Sequence, residues 1–193
     1  ARHFIRQGLP VPARDPQVDP PRIPLLAIPF FHATGAFSNL VPAMMNADKI
    51  VTMYKWDPLD ALEIIQREKV TMIGGVPAIA WQVLEHPDRD KYDLSSIQFV
   101  AYGGAPSAPE LVATIKRRFP NGLASNGWGM TETCAASCVN FGKDYEIRPD
   151  SCGAAAPAMD FKIVGSKGET LGPNEVGELW VKGPNNCKAY WNK

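Results

Sequence analysis

The chain reads as an α/β protein, a parallel sheet flanked by helices followed by a short antiparallel β region. Two observations predict this. Over residues 25–125 short apolar runs alternate with helix-like segments, the βα repetition that buries a parallel sheet beneath helices. After Cys152 the apolar runs are separated only by glycine and proline, with no helix between them, as in a hairpin. A length of 193 residues with 45% hydrophobic composition is enough for one proper core.

Taken in order, residues 1–7 read as the last turns of a helix, and the proline-dense stretch that follows as an extended surface connection. Leu25-Leu26-Ala27-Ile28 is expected to be a buried strand, and residues 36–47 an apolar helix bent at Pro42. Residues 49–53 form the next strand. Asp57-Pro58 then opens a helix, the carboxylate capping it and the proline occupying its first position, with Leu59, Leu62, Ile65 and Val70 near one face. Residues 71–73 give a third strand, 77–84 a helix and 97–102 a fourth strand. Ser107 and Glu110 predict a capping box for a helix ending near Phe119. Residues 123–125 complete a fifth strand, and 161–164 with 178–181 the hairpin. The expected organisation is therefore a helix end and connection (1–24), a parallel α/β subdomain (25–150) and the start of an antiparallel region (151–193).

Composition narrows function. Twenty basic residues balance twenty acidic ones, so no basic footprint for nucleic acid or an anionic membrane is visible. No apolar run is long enough to span a bilayer, and with no basic segment followed by an apolar one at residues 1–24 a secretory signal is not expected. Of four cysteines, Cys134 and Cys138 are four apart in an expected helix and Cys152 and Cys187 stand alone, without zinc-like spacing. Mostly buried, reduced thiols and a cytoplasmic location are the expectation.

Three segments fall at expected strand ends, where open α/β sheets bind ligands. Pro29-Phe30-Phe31-His32-Ala33-Thr34-Gly35 follows the first strand; its histidine would orient a ligand, or simply enter a helix. Tyr102-Gly103-Gly104-Ala105-Pro106 follows the fourth, and its glycines suit a flat ligand or a tight turn. Asn126-Gly127-Trp128-Gly129-Met130-Thr131-Glu132-Thr133 follows the fifth. There a threonine hydroxyl can donate to phosphate and the adjacent carboxylate can hold Mg²⁺. A turn, a core tryptophan, a capping threonine and a solvated glutamate explain the same letters one at a time; their coincidence favours a phosphate site.

In combination these segments resemble the adenylate-forming (AMP-binding) enzyme superfamily, in its acyl-CoA synthetase, fatty-acid–CoA ligase branch. Gly127 to Glu132 is similar to the aromatic-Gly-x-Thr-Glu signature, Gly103-Gly104-Ala105-Pro106 to the adenine-side loop, and Phe31 to Gly35 to the Phe-His-x-x-Gly element. Gly177 to Pro184 with Tyr190-Trp191 resembles the Gly-Glu-Leu segment that follows. Four elements in family order cover nearly the whole chain.

The resemblance implies that a carboxylic acid reacts with ATP to give acyl-AMP and pyrophosphate, after which CoA gives acyl-CoA and AMP. ATP, Mg²⁺ and CoA as co-substrate are therefore expected. Gly103, Gly104, Ala105, Pro106, Asn126, Gly127, Trp128, Gly129 and Met130 would line the nucleotide site, Trp128 replacing the usual tyrosine. Thr131 would contact phosphate, Glu132 would hold Mg²⁺, and His32 would sit where acyl pocket meets adenylate; Glu178 would be structural. The apolar cast of Phe30, Phe31 and residues 74–77 suggests a fatty or aromatic acid; Met44, Met45, Val76 and Trp81 are candidates for its pocket, and core packing explains them at least as well. The resemblance places the phosphate loop before residue 1, and the ribose-binding aspartate and C-terminal domain after residue 193. The chain is thus expected to be a central fragment of the larger N-terminal domain, inactive by itself. Ala189 stands where the family more often has glycine, and residues 185–190 receive no function.

Two alternatives remain: an acyl-AMP ligase or adenylation domain that loads a carrier protein, and a non-catalytic nucleotide-binding module. No Gly-x-Gly-x-x-Gly follows the first strand, which argues against a dehydrogenase.

Overall fold

A computed structural model describes residues 22–192. The expected helix end at 1–7 and nearly all of the connection to residue 24 lie outside that range. Seven strands form one sheet in the order β2-β1-β3-β4-β5-β6-β7. They are β1 (Pro24–Leu26), β2 (Val51–Thr52), β3 (Met72–Gly75), β4 (Phe99–Gly103), β5 (Leu123–Met130), β6 (Ala135–Phe141) and β7 (Ala154–Ala155). The first five run parallel. β6 and β7 are antiparallel additions at one edge, so the sheet continues past residue 150. A separate antiparallel pair, β8 (Asp160–Val164) and β9 (Glu178–Lys182), realises the expected hairpin. The α/β class with its mostly parallel sheet is as expected. No helix of the described residues is long and apolar enough to cross a membrane.

Helices on one face of the sheet enclose the core. Leu25, Ile73 and Val100 meet Leu62 and Ile65 of α2 (Pro58–Glu68), Val83 and Leu84 of α3 (Pro77–Leu84), and Leu111 and Ile115 of α4 (Pro109–Arg118). α2 starts as its sequence dictates: the Asp57 carboxylate accepts from the backbone N–H groups of Leu59 and Asp60 at 2.8 and 3.1 Å, with Pro58 in the first turn. Pro24 opens β1, a position where a missing N–H costs the ladder little.

Four local expectations are corrected. Residues 36–47 do not make one bent helix: a wide π-type turn over Thr34–Leu40 runs into the short α1 (Val41–Met45). Pro42 lies in the first turn of α1, where its ring would clash with the carbonyl four residues back in a regular helix, and the preceding turn is widened. The capping box at Ser107 and Glu110 does not form. Pro109 fixes the first turn of α4, which makes Ala108 the N-cap and leaves Ser107 one position too early. β5 does not stop at Ser125 but continues to Met130, because residues 125–130 find a partner in β6. Cys134 and Cys138 accordingly lie in no helix. Cys134 ends a 3₁₀ turn over Thr131–Thr133 in left-handed conformation, and Cys138 sits within β6.

The thiols also depart from expectation, since Cys138 alone is buried while Cys152 and Cys187 are exposed. Burial, followed by a hydrogen bond shared with Cys152, pushes the Cys138 thiol up to about 12.

Candidate active site

The signature residues are carried by a strand and its turn rather than by a loop beyond a strand end. Asn126, Gly127, Trp128, Gly129 and Met130 belong to β5, and Thr131, Glu132 and Thr133 form the tight turn into β6. A bulge between Trp128 and Gly129 twists the β5–β6 pair just before that turn. Glycine is required there, because a Cβ on residue 129 would overlap the carbonyl oxygen of Ala135.

Gly103, the last residue of β4, pairs with Gly127 of β5, bringing the second and third sequence elements side by side. A Cβ on Gly103 would lie 2.5 Å from the Gly127 carbonyl oxygen, so only glycine allows this approach. Gly104, Ala105 and Pro106 follow as an exposed loop with Gly104 at a φ of 75°. The result is a flat, side-chain-poor shelf at the carboxyl ends of β4 and β5. Beneath it the hydroxyls of Tyr102 and Tyr145 share a buried hydrogen bond of 3.0 Å.

The turn is fixed from inside by Thr133, which is fully buried. Its hydroxyl accepts from the Met130 N–H at 3.0 Å and lies 3.1 Å from the Ala135 carbonyl oxygen. The capping role considered for a threonine in this segment thus falls to Thr133, leaving Thr131 exposed. Glu132 is exposed as well. A backbone hydrogen bond of its own, then the phenol of Tyr190, hold its carboxyl below the usual range. Oε1 accepts from the Tyr190 hydroxyl at 2.9 Å. Among the described residues no three His, Cys, Asp or Glu gather as a metal cage. One ionised, accessible carboxylate fits Mg²⁺ of the kind held chiefly by substrate phosphates and water.

Trp128 is half-buried and meets Phe161 of β8 edge to face, ring centroids 6.3 Å apart. Phe161 was not legible as a neighbour, since it lies on the separate hairpin. His32 stands exposed on its turn, its Nδ1 accepting from the Thr34 N–H at 3.1 Å. Among the described residues no hydrogen bond joins it to Thr131 or Glu132. A cavity of about 400 Å³ opens between α1 and the sheet, lined by Ser38, Asn39, Ala43, Met72, Phe99 and Ala101 among others, and His32 does not line it. None of Met44, Met45, Val76 or Trp81 lines it. Met44 and Met45 point to solvent, and Trp81 packs on the core.

The turn's outer contacts were missed by sequence reasoning. The Cys187 N–H donates to the Glu132 carbonyl and the Asn185 side-chain amide to the Thr133 carbonyl, each at 2.7 Å. Residues 185–190, expected to have no role, are therefore stitched onto the Thr-Glu turn. The tyrosine closing the Gly-Glu-Leu segment was the one available signal.

The chain is similar in sequence and fold to known proteins. A profile described as AMP-binding enzyme matches residues 5–191. The chain is 37% identical to 4-coumarate–CoA ligase 2 of Nicotiana tabacum over 172 residues, 87% of this chain and 32% of that protein. Acyl-CoA synthetase 7 of Caenorhabditis elegans is 34% identical over 86% of this chain and 30% of its own length. The chain thus spans about a third of the curated relatives it matches. Among solved structures, O-succinylbenzoate coenzyme A synthetase of Bacillus subtilis in complex with ATP and magnesium ion superposes with a TM-score of 0.78. That match is at 27% identity, over 100% of this chain and 37% of that one. With the family profile covering nearly all of its length, the chain belongs to the AMP-binding enzyme family.

Proposed function

We propose that the full-length protein is an ATP-dependent carboxylate–CoA ligase, forming acyl-AMP and pyrophosphate and then acyl-CoA and AMP. The observation that carries this reading is the exposed Thr131-Glu132 pair, rigidly held at the end of a glycine shelf formed by Gly103 and Gly127. The shelf would take the flat adenine, with Gly104, Ala105, Pro106, Asn126 and Trp128 around it. The Thr131 hydroxyl, exposed and unshared, would donate to phosphate. Glu132 would hold Mg²⁺, which when bound offsets the repulsion between carboxylate and triphosphate.

The substrate is inferred to be a fatty or aromatic acid. The cavity between α1 and the sheet offers apolar surface from Phe99, Met72, Ala43 and Ala101, beside polar Arg22, Asn39, Asn46 and Asp48. Names of relatives such as 4-coumarate–CoA ligase point the same way. Residues 1–193 alone are expected not to adenylate, since they contain no hydroxyl- and glycine-rich run followed by lysine to cradle the triphosphate.

The test is pyrophosphate release by the full-length protein with ATP, Mg²⁺ and a panel of fatty, aromatic and amino acids, with and without CoA. Acid-dependent release with a CoA thioester detected by mass is expected. Release that stops at acyl-adenylate despite CoA would indicate carrier-protein loading, and none with any acid would defeat the ligase reading.

A further inference from the structure

Glu132 is the one carboxylate of the signature, and its setting is unusual for an exposed acid. Three hydrogen bonds reach the turn from a six-residue stretch more than fifty positions away: Asn185 to the Thr133 carbonyl, the Cys187 N–H to the Glu132 carbonyl, and Tyr190 to the Glu132 side chain. Thr133 pins the same turn from the buried side. Both the backbone and the side chain of Glu132 are thereby held, although residues 131 and 132 lie at the surface. A free glutamate would lose side-chain entropy on binding a ligand; one already held has less to lose.

The chemistry of the partner matters as much as its position. Among the described residues no lysine or arginine forms an ion pair with Glu132. A phenol fixes one oxygen while leaving the negative charge uncancelled, and a carboxylate retains further lone pairs for another partner. A lysine in its place would fix the oxygen and cancel the charge. A neutral donor of this kind suits a carboxylate whose task is to meet a cation.

We propose that Tyr190 is a positioning residue for Glu132, holding its carboxylate in the orientation that receives the divalent cation carried by the nucleotide phosphates. The inference rests on the nucleotide-site reading given above. Tyr190 is about half exposed and lies outside the core, so its hydroxyl contributes little to folding.

The test is Tyr190→Phe in the full-length protein, with ATP affinity measured by calorimetry in excess Mg²⁺ and again in EDTA, together with the melting temperature. The affinity in Mg²⁺ is expected to fall about three- to tenfold, the loss of one charge-assisted hydrogen bond at an exposed site. Affinity in EDTA and melting temperature should match the parent. Unchanged affinity in Mg²⁺, or an equal loss in both conditions accompanied by a lower melting temperature, would overturn the positioning role. Glu132→Gln separates the two levels. If it keeps the parent's Mg²⁺-dependent affinity, the metal role of Glu132 itself fails; if it loses that affinity while Tyr190→Phe does not, only the positioning role fails.

Discussion

At the scale of single residues, neighbouring threonines and paired cysteines divide into different roles once burial is known. Thr131 and Thr133 are two positions apart, yet one faces solvent and the other is enclosed and bonded to the turn it stabilises. The four thiols divide the same way. Cys138 is buried in β6 with its acidity weakened, whereas Cys152 and Cys187 are exposed. Iodoacetamide at neutral pH is therefore expected to label Cys152 and Cys187 within minutes and to spare Cys138 until the protein is unfolded, as peptide mass spectrometry would show. Rapid labelling of Cys138 in the native protein would contradict the placement of β6. Side-chain identity alone conveyed what Thr131 and Glu132 are able to do, but not which threonine was free to do it. That depends on an accepting carbonyl at Ala135, which only the turn supplies.

Among the elements, the legible ones were those whose ends carry their own chemistry. Asp57-Pro58 fixed the start of α2 because cap and proline act within four residues. β5 was cut short because Gly127 and Gly129 read as loop residues. In the fold, pairing with β6 supplies the hydrogen bonds that intrinsic propensity does not favour, and close backbone approach makes glycine necessary. β6 was invisible for the same reason, since Cys134 and Cys138 at a spacing of four also fit a helix. The Ser107 expectation failed through competition with Pro109. These readings predict different energetics for two helix starts. Asp57→Ala should destabilise the protein by about 1 kcal/mol, the usual value of an N-cap. Ser107→Ala should change stability by less than about 0.5 kcal/mol, because its hydroxyl caps nothing in α4. Urea unfolding of both variants checks this, and equal losses would restore the capping box.

Across the whole molecule, the sheet brings together residues that sequence order separates. Parallel pairing of β4 with β5 sets Gly103 beside Gly127, and the return of residues 185–190 onto the Thr131–Thr133 turn joins the last signature segment to the third. The motifs could be recognised as a set in the sequence. Their contacts could not, because the register of a parallel pair and the path of a tail are fixed by tertiary packing. The cavity between α1 and the sheet was unforeseen for a related reason. With the widened turn at Thr34–Leu40, Met44 and Met45 of α1 face solvent, and Ser38 and Asn39 line the cavity.

We propose that this chain supplies the Thr-Glu turn of a nucleotide site in a carboxylate-activating enzyme. Acid-dependent pyrophosphate release by full-length protein, compared between the parent and Glu132→Gln, tests it most directly. Glu132 is exposed and makes no core contact, so the variant should keep its melting temperature while its rate falls by about 100-fold or more. A folded Glu132→Gln protein that releases pyrophosphate at the parent's rate would contradict the account.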